Sequence, residues 1–218
     1  MAALTAVRSG RADLDTITAA ARGCRACTLW EHATQTVFGE GPDRARIMLI
    51  GEQPGDAEDV AGEPFVGPAG RLLDQALELA GLDRESIFVT NVVKHFKWRP
   101  SPGSKRRLHE RPNRAEVAAC RPWVDAEILV TRPGGIGLLG ATAAQALLGG
   151  TFSVTRQHGL VDRPDLAPLV VATIHPSAVL RSRDGSERDE RLAGMVADLR
   201  LLLDAPLEAA RPVVTRSA

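Results

Sequence analysis

Residues 46–91 read RIMLIGEQPGDAEDVAGEPFVGPAGRLLDQALELAGLDRESIFVTN, and this stretch decides the fold class. The apolar run RIMLI at residues 46–50 predicts a buried strand, and IFVTN at residues 87–91 predicts a second one. Between them, residues 68–81 have apolar side chains at helical spacing, a proline in the first turn and a glycine after the last. Strand, helix and strand in this order are typical of a parallel sheet that is covered by helices.

The rest of the chain continues the alternation of strands and helices. GIGLLG at residues 135–140 and LVVATIHP at residues 169–176 predict two further strands. Asn113 with Glu116 three positions later predicts the start of a helix, and RLAGMVADLRLLL at residues 191–203 predicts the closing one. We therefore predict an α/β fold, a three-layer α/β/α arrangement around a central four-stranded parallel sheet.

Length and composition predict one soluble domain. The chain has 218 residues, of which 44% are hydrophobic and 25% charged, as in ordinary globular proteins. We place the domain at residues 1–204 and expect residues 205–218 to form a flexible tail. The N-terminus lacks the apolar segment of a signal peptide, and no apolar run approaches the length of a membrane span. We therefore expect a cytoplasmic monomer that does not bind membranes.

The charge of the chain is concentrated in one segment. The 27 basic and 27 acidic residues balance overall, which excludes a surface that is basic all over. From Lys94 to Arg121, however, there are nine Lys or Arg residues and only two acids, Glu110 and Glu116. Such a segment is either a solvated surface loop or a patch that meets phosphates.

Polar and glycine-rich segments follow each of the four predicted strands: GEQPGD at 51–56, NVVKH at 91–95, GATA at 140–143 and HPS at 175–177. In parallel α/β sheets, ligands bind beyond the carboxyl ends of the strands. These four segments therefore predict a common site at one edge of the sheet.

Three of the residues at this edge have a functional and an ordinary interpretation. Glu52 is either a solvated loop acid or a carboxylate that stabilises a developing cation or positions a nucleophile. Phe65 is either part of the core or a platform for a flat base. Asn91 either forms a turn or reads the edge of a base.

The cysteines predict a metal site that the chain alone leaves incomplete. Cys24 and Cys27 form a C-x-x-C pair, and Cys120 is a third thiol, unless it simply packs in the core. A fourth ligand would have to be His95, His32 or an exogenous group. Thiolates bind zinc and iron–sulfur clusters alike, so both remain possible at this point.

Two other motifs carry little weight. The G-x-G-x-x-G pattern at Gly135, Gly137 and Gly140 lies within a predicted strand, whereas a dinucleotide-binding loop should follow one. His175 and Ser177 are two positions apart without a nucleophile-elbow motif, so we exclude a hydrolase triad.

Taken together, the motifs resemble the uracil-DNA glycosylase superfamily, family 4 in particular. The matching segments run in the expected order from residue 24 to residue 181: CRAC, GEQPGDAEDVAGEPFVGPAGRLLD, VTNVVKH, AAC, LLGATAA and HPSAVLR. Family 4 usually has a cysteine where this chain has His95, and it lacks a basic insertion like residues 96–112. Both departures, with KRRLH at residues 105–109, are similar to the UdgX subgroup, which becomes covalently trapped on uracil-containing DNA through a loop histidine.

The resemblance implies a cofactor and a set of site residues. A [4Fe–4S] cluster would be held by Cys24, Cys27, His95 and Cys120. In the pocket, Phe65 would stack on the flipped uracil and Asn91 would read its edge, and the remaining substrate-binding residues would be Gly51, Gln53, Asp56, Arg107 and Ser177. For catalysis, His175 would donate to the uracil oxygen, Glu52 would face the sugar and His109 would be the nucleophile. The DNA backbone would be contacted by Lys94, Lys105 and Arg106.

The implied function is uracil excision followed by covalent attachment of His109 to C1′ of the sugar, in a bacterial protein associated with the nucleoid. Two alternatives stay open. The first is an ordinary family 4 glycosylase with turnover, and the second is a metal-stabilised nucleic-acid-binding module without catalysis.

Overall fold

A twisted sheet forms the centre of the chain in the computed structural model, which describes residues 13–207. The strands are β1 (Ile47–Gly51), β2 (Ile87–Asn91), β3 (Trp98–Pro100), β4 (Arg107–His109), β5 (Gly135–Leu139), β6 (Gly159–Val161) and β7 (Leu169–Thr173). The helices are α1 (Leu14–Ala21), α2 (Asp56–Ala61), α3 (Pro68–Ala80), α4 (Arg114–Thr131), α5 (Gly140–Leu148), α6 (Pro176–Leu180) and α7 (Gly185–Arg200). Short 3-10 turns cover Thr28–Glu31, Arg84–Ser86 and Leu201–Asp204.

The order of strands in the main sheet is β2-β1-β5-β7-β6. The first four are mutually parallel, and Gly51 of β1 lies opposite Asn91 of β2. The chain passes from β1 to β2 on one side and then returns to β5 on the other. The sheet therefore opens a crevice between the carboxyl ends of β1 and β5, the usual location of ligands in this architecture.

The predicted three-layer α/β/α architecture is confirmed, with one addition to the sheet. The four predicted strands are β1, β2, β5 and β7, and they are parallel as expected. The addition is β6, an antiparallel edge strand in which Gly159 lies opposite Ala172 of β7. Its three residues are too few to show a strand period in the sequence.

Two hydrophobic clusters cover the faces of the sheet. On one face, α1, α4 and α5 pack against side chains such as Met48 and Ile50. On the other, α3, α6 and α7 pack against side chains such as Leu49 and Val89. Every residue of β1, β2 and β5 is buried, because helices cover both faces. This two-sided burial explains why the strands read as continuous apolar runs.

Local capping signals place the helix ends. The Asn113 side chain accepts a hydrogen bond from the Glu116 amide at 2.9 Å, and the Glu116 carboxylate accepts one from the Asn113 amide at 2.7 Å. This reciprocal pair begins α4 where the sequence predicts it. Gly81 ends α3 with φ of 79°, a left-handed conformation that glycine adopts readily. In the described part of the chain, no helix is both long and apolar enough to cross a bilayer.

The basic insertion at residues 96–112 is a hairpin rather than an irregular loop. Strands β3 and β4 pair antiparallel, with Trp98 opposite His109. The Ser101 amide closes the tip by donating to the Arg106 carbonyl at 2.9 Å. His109 therefore lies at the base of a paired element, which restricts its position.

The first residues of the predicted tail pack against the domain. Ala205 is buried, and the backbone carbonyl of Pro206 packs against Gly134, where a Cβ atom would clash. Residues 205 and 206 are therefore packed, unlike the flexible tail that we expected from 205 onward. Leu207 is exposed, and the remaining tail residues 208–218 and the N-terminal residues 1–12 lie outside the described residues.

Candidate active site

Glu52 lies at the crevice between β1 and β5, directly after the last residue of β1. Its Oε2 atom accepts a short hydrogen bond from the hydroxyl of Thr142, in the first turn of α5. Its Oε1 atom lies 3.3 Å from Nε2 of His109. The side chain is only 20% exposed, so these contacts replace most of its contact with water.

The surroundings of Glu52 favour its ionised form. Burial raises the pKa of Glu52, but hydrogen bonds from His109 and Thr142 lower it, as do the positive charges that His109 and His175 can carry. The lowering contributions prevail, so the pKa lies below its usual value. Glu52 is therefore a carboxylate at neutral pH, able to stabilise a nearby cation.

His109 approaches Glu52 from the base of the hairpin. Its imidazole is 51% exposed, and its ring centroid lies 6.2 Å from that of Phe96. The imidazole is therefore both held by a carboxylate and half exposed. The structure thus brings together the two residues that sequence reasoning assigned to the sugar.

Gln53 fixes the base of this hairpin. Its Nε2 donates to the carbonyls of Lys97 and Glu110, each at 3.1 Å, and its Oε1 accepts from the Lys97 amide at 3.1 Å. The side-chain amide of Gln53 is thus engaged by the backbone on both sides of the hairpin. We expected Gln53 to line the base pocket, but its side chain instead holds the two ends of the hairpin together.

Arg107 secures the other side of the hairpin. Its guanidinium pairs with Asp56 and with the buried Asp59, each at 2.5 Å, and it lies over the rings of Phe96 and Trp98. Both Asp56 and Arg107 were expected to bind the substrate. In the structure they bind each other, because Asp56 at the start of α2 and Asp59 in its middle both pair with the Arg107 guanidinium.

A narrow cradle forms where β1 and β2 end side by side. A Cβ atom on Gly51 would lie 2.4 Å from Oδ1 of Asn91 and 2.6 Å from Cζ of Phe65. Only glycine at position 51 therefore allows the amide and the ring to approach this closely. Asn91 is 3% exposed, and its Oδ1 has no hydrogen-bond partner among residues 13–207. A buried acceptor of this kind is costly unless a ligand satisfies it.

Phe65 has an unusual backbone conformation. Its φ of 60° is left-handed, which costs a bulky residue on the order of 1–3 kcal/mol. Gly70 accommodates it, because a Cβ atom there would overlap the Phe65 carbonyl. The Phe65 ring stacks on that of His175, with centroids 6.3 Å apart and planes at 29°. The strained backbone thus holds an aromatic face beside the buried amide of Asn91.

His175 caps α6 and is a neutral donor. Burial lowers the pKa of His175 to about 4, against the opposing effect of Glu52. Its Nδ1 accepts from the Ser177 amide at 3.2 Å and lies 2.9 Å from the Ser177 hydroxyl. Because Nδ1 is an acceptor, the ring proton of the neutral form is on Nε2. Ser177 therefore sets the tautomer of His175.

Lys94 does not belong to the DNA-facing surface. It is 1% exposed, and its ammonium donates to Glu127 at 2.7 Å, to the Thr90 hydroxyl at 2.6 Å and to the Asn91 carbonyl at 2.8 Å. We expected Lys94 to contact the DNA backbone, and that expectation is wrong. The lysine is instead the cationic half of a buried ion pair beneath the Asn91 cradle.

The remaining cations of the basic segment divide into two groups. The paired group consists of Lys97 with Glu110 and Glu116, Arg111 with Glu52, and Arg121 with Asp125. The second group is exposed and makes no ion pair within the described residues: Arg99, Lys105, Arg106 and Arg114. Lys105 and Arg106 lie at the hairpin tip, so the freely available positive charge is concentrated there.

The predicted metal ligands have surroundings typical of sulfur ligands. The Trp123 indole donates to Sγ of Cys24 and the Lys94 amide donates to Sγ of Cys120, each at 3.2 Å. Burial, with smaller contributions from the nearby Cys24 and Cys27, raises the pKa of Cys120 to about 12 against the lowering effect of Lys94. Burial without a metal thus disfavours the thiolate form.

A cavity of about 180 Å³ lies between the first cysteine and the predicted histidine ligand, with Cys24, Trp30, Thr36 and His95 in its wall. His95 is buried, with Nε2 3.0 Å from the Thr36 hydroxyl, and burial lowers its pKa so that the ring is neutral. Within residues 13–207, no three His, Cys, Asp or Glu side chains are arranged to hold a single metal ion. The cavity wall thus combines the Cys24 thiol with the neutral imidazole of His95.

Three residues of the site were not predicted from the sequence. Asp59 holds Arg107, Arg111 approaches Glu52, and Thr142 donates to Glu52. Thr142 lies in the GATA segment after β5, so its position at a strand end was the one available signal. The sequence carried no signal for the roles of Asp59 and Arg111, because their partners come from distant parts of the chain.

Comparison with known proteins places this architecture in a family. A model of the uracil DNA glycosylase superfamily matches residues 38–200. The match includes β1 to α7, and with them Glu52, His109 and His175, but begins after Cys24 and Cys27.

Individual relatives are similar over most of their length, and each is named Type-4 uracil-DNA glycosylase. The protein of Sulfurisphaera tokodaii is 38% identical over 165 residues, which cover 72% of this chain and 71% of the relative. The protein of Thermotoga maritima is 39% identical over 166 residues, 76% of this chain and 82% of the relative. The protein of Archaeoglobus fulgidus is 37% identical over 174 residues, 77% and 83% of the two chains.

Proposed function

The chain belongs to the uracil-DNA glycosylase superfamily. On that basis we propose that it excises uracil from DNA and that His109 then forms a covalent bond to C1′ of the sugar. The observation that carries the proposal is the 3.3 Å contact between Nε2 of His109 and Oε1 of Glu52. The imidazole of the proposed nucleophile is thereby held beside the carboxylate that the sugar cation would approach.

Substrate recognition uses the cradle of Gly51, Phe65 and Asn91. A uracil inside a duplex is unreachable, so the nucleotide must leave the stack before the reaction. The flipped base would lie on the ring of Phe65, and Oδ1 of Asn91 would accept the N3–H of the base. The ligand would then satisfy this buried acceptor, which has no partner in the described part of the chain.

Bond cleavage needs one group for each developing charge. The C1′–N1 bond breaks with its electron pair moving to the base, which leaves a uracil anion and an oxocarbenium-like sugar. The Nε2–H of neutral His175 donates to the base oxygen that gains charge, and the Glu52 carboxylate stabilises the sugar cation. The depressed pKa values of both groups support these roles.

Capture follows when a neutral imidazole nitrogen of His109 gives its lone pair to C1′. A positioned group of this kind outcompetes water, because effective molarities reach about 10⁵ M or more. The new imidazolium then loses its remaining N–H proton to solvent. The resulting neutral N-alkyl imidazole is a poor leaving group, which accounts for a stable adduct.

We also propose that Cys24, Cys27, His95 and Cys120 hold a [4Fe–4S] cluster. The support is the chemistry of the donor set: three neighbouring thiols, two N–H donors to sulfur, and a neutral histidine at a cavity of about 180 Å³. When bound, the cluster would supply a covalent tie between the segment of residues 24–27 and α4. The pocket residues carry out the reaction without it.

An ordinary glycosylase with turnover is the second candidate. The same pocket serves it, and the similar relatives carry the name of a glycosylase with no reference to an adduct. In that case His109 would only contact DNA. A binding module without catalysis is disfavoured by the ionised Glu52 and neutral His175 at one crevice, because binding alone requires neither.

The test is to mix the protein with excess uracil-containing oligonucleotide and to measure both free uracil and the fraction of protein shifted on a denaturing gel. We expect one equivalent of uracil per protein and a matching shift. Many equivalents without a shift would establish the turnover enzyme, and no free uracil would establish the binding module.

A further inference from the structure

The two carboxylate oxygens of Glu52 have different partners. Oε1 faces His109, and Oε2 accepts from Thr142 while Arg111 Nε lies 3.9 Å away. Arg111 also donates from Nε to the Thr142 hydroxyl at 3.0 Å. Residues 109 and 111 of one segment thus approach both ends of the same carboxylate, and Thr142 lies between Arg111 and Oε2.

The direction of the Thr142 hydroxyl follows from these partners. A guanidinium can only donate, so the Thr142 oxygen is the acceptor of the Arg111 bond. The hydroxyl proton is then left for Oε2 of Glu52. Arg111 is held in turn by Gln145, whose Oε1 accepts from its Nη2 at 3.2 Å. This fixed direction distinguishes the arrangement from a hydroxyl that rotates freely.

Helix α5 brings the hydroxyl to the crevice. Thr142 is in the first turn of α5, which begins directly after β5. The positive end of the helix dipole therefore faces Oε2 and favours its negative charge. Thr142 is buried, so water does not replace its hydroxyl easily.

We propose that Thr142 is a positioning residue for uracil excision: it holds Oε2 of Glu52 so that Oε1 faces the sugar and His109, and Arg111 directs its hydroxyl. The inference rests on the proposed function, because it assigns Glu52 to the sugar cation. Without the Thr142 bond, the carboxylate could rotate about its last bond and share both oxygens with the hairpin cations. The sugar cation would then form beside a less ordered negative charge.

Loss of the Thr142 hydrogen bond should change the pH dependence of uracil excision. The Thr142 bond is one of the contacts that lower the pKa of Glu52, together with His109. The charged or titratable groups that face this carboxylate are His109 and Arg111 from the hairpin segment and His175 from the start of α6. Removing the hydroxyl changes none of these three residues, and Arg111 keeps its bond to Gln145, but Oε2 loses a donor and the carboxylate becomes easier to protonate. The loss of activity on acidification should therefore begin at a higher pH.

The test compares Thr142→Val, which keeps the shape and removes the hydroxyl, with Thr142→Ser, which keeps the hydroxyl. Single-turnover uracil release is measured across the pH range for both and for the wild type. We expect Thr142→Val to slow release by about tenfold to a hundredfold, the range for a lost hydrogen bond to a charged group. Its acid limb should move to higher pH, and Thr142→Ser should restore both the rate and the limb.

Two results would overturn the proposal. The first is a Thr142→Val protein with the rate and acid limb of the wild type. The second is equal slowing by valine and serine, which would indicate that packing rather than the hydroxyl matters. If the circular dichroism spectrum shows that Thr142→Val is misfolded, Arg111→Gln, at a half-exposed position, is the deciding variant. We expect its acid limb of uracil release to move to higher pH by less than that of the valine variant. An acid limb identical to that of the wild type would overturn the proposal. A wild type that releases no uracil would overturn the proposed function and this inference together, whereas failure of the valine prediction alone leaves the proposed function intact.

Discussion

Nε2 of His109 lies 3.3 Å from Oε1 of Glu52, although the two residues belong to different elements. Glu52 follows β1, a buried strand of the main sheet, and His109 is the last residue of the β3–β4 hairpin, which follows β2 in the chain. Gln53 and Arg107 clamp the hairpin on two sides. The contact is therefore built into the fold, and it places the proposed nucleophile beside the carboxylate that we propose stabilises the sugar cation.

Asn91 and Phe65 should both be needed for uracil excision. Asn91→Ala removes the acceptor for the base edge, at a cost of roughly 1–3 kcal/mol in transition-state stabilisation. Phe65→Ala removes a stacking surface, also worth roughly 1–3 kcal/mol. Single-turnover uracil release measures both losses, and Gln75→Ala on the exposed face of α3 is the matched control. Wild-type rates in both pocket variants would remove these residues from the base site.

Replacing Lys94 should reduce stability, whereas replacing Lys105 should change DNA binding. Lys94→Met leaves Glu127 buried without its partner, so the free energy of unfolding should fall by roughly 3–5 kcal/mol in urea titrations. Lys105→Ala should leave stability unchanged and reduce the salt dependence of DNA binding, with a slope smaller by about one. A stable Lys94→Met protein with weaker and less salt-dependent DNA binding would contradict this prediction and indicate that Lys94 contacts DNA.

Iron should be present in the purified protein. The thiols of Cys24, Cys27 and Cys120 together with His95 suit an iron–sulfur cluster, so we expect a brown protein with iron and sulfide by chemical analysis. Cys120→Ala should lower the free energy of unfolding of the whole domain, since a cluster ties together segments about ninety residues apart. Stoichiometric zinc without iron would contradict this assignment.

His175 should make stability depend on pH. Its pKa falls from the usual 6.5 to about 4 in the folded protein, so between these values the unfolded chain binds the proton more readily. The free energy of unfolding should therefore decrease as the pH drops from about 6.5 towards about 4. His175→Asn retains a helix cap and should lack this part of the decrease. Buried His95 acts in the same direction, so the difference between wild type and variant is the quantity to measure, and identical pH dependence would contradict the account.

The sequence predicts the parallel strands and the helix ends because their signals are local. β1, β2, β5 and β7 are continuous apolar runs, and α4 begins at a reciprocal Asn113–Glu116 pair. The fates of Lys94 and Gln53 could not be predicted in this way. Lys94 is buried because Glu127 faces it from α4, and Gln53 clamps the hairpin because Lys97 and Glu110 present their backbones to it. Such pairings exist only once the chain has folded.

The same limit applies to the basic segment. Its composition predicted a positive surface, but five of its nine cations pair with carboxylates, which come from α2, α4, the hairpin segment and Glu52 after β1. The free charge that remains is a property of the tertiary structure.

The most direct test of the central claim is His109→Ala, examined on a denaturing gel beside a uracil-release assay. If His109 captures the sugar but does not cleave the bond, the variant should form no denaturation-resistant DNA adduct and still release uracil, with water entering in place of the imidazole. Glu52→Gln is the control, and it should lower both outcomes because the sugar cation is common to them. A His109→Ala protein that still shifts on the gel, or one that neither shifts nor releases uracil, would contradict the account.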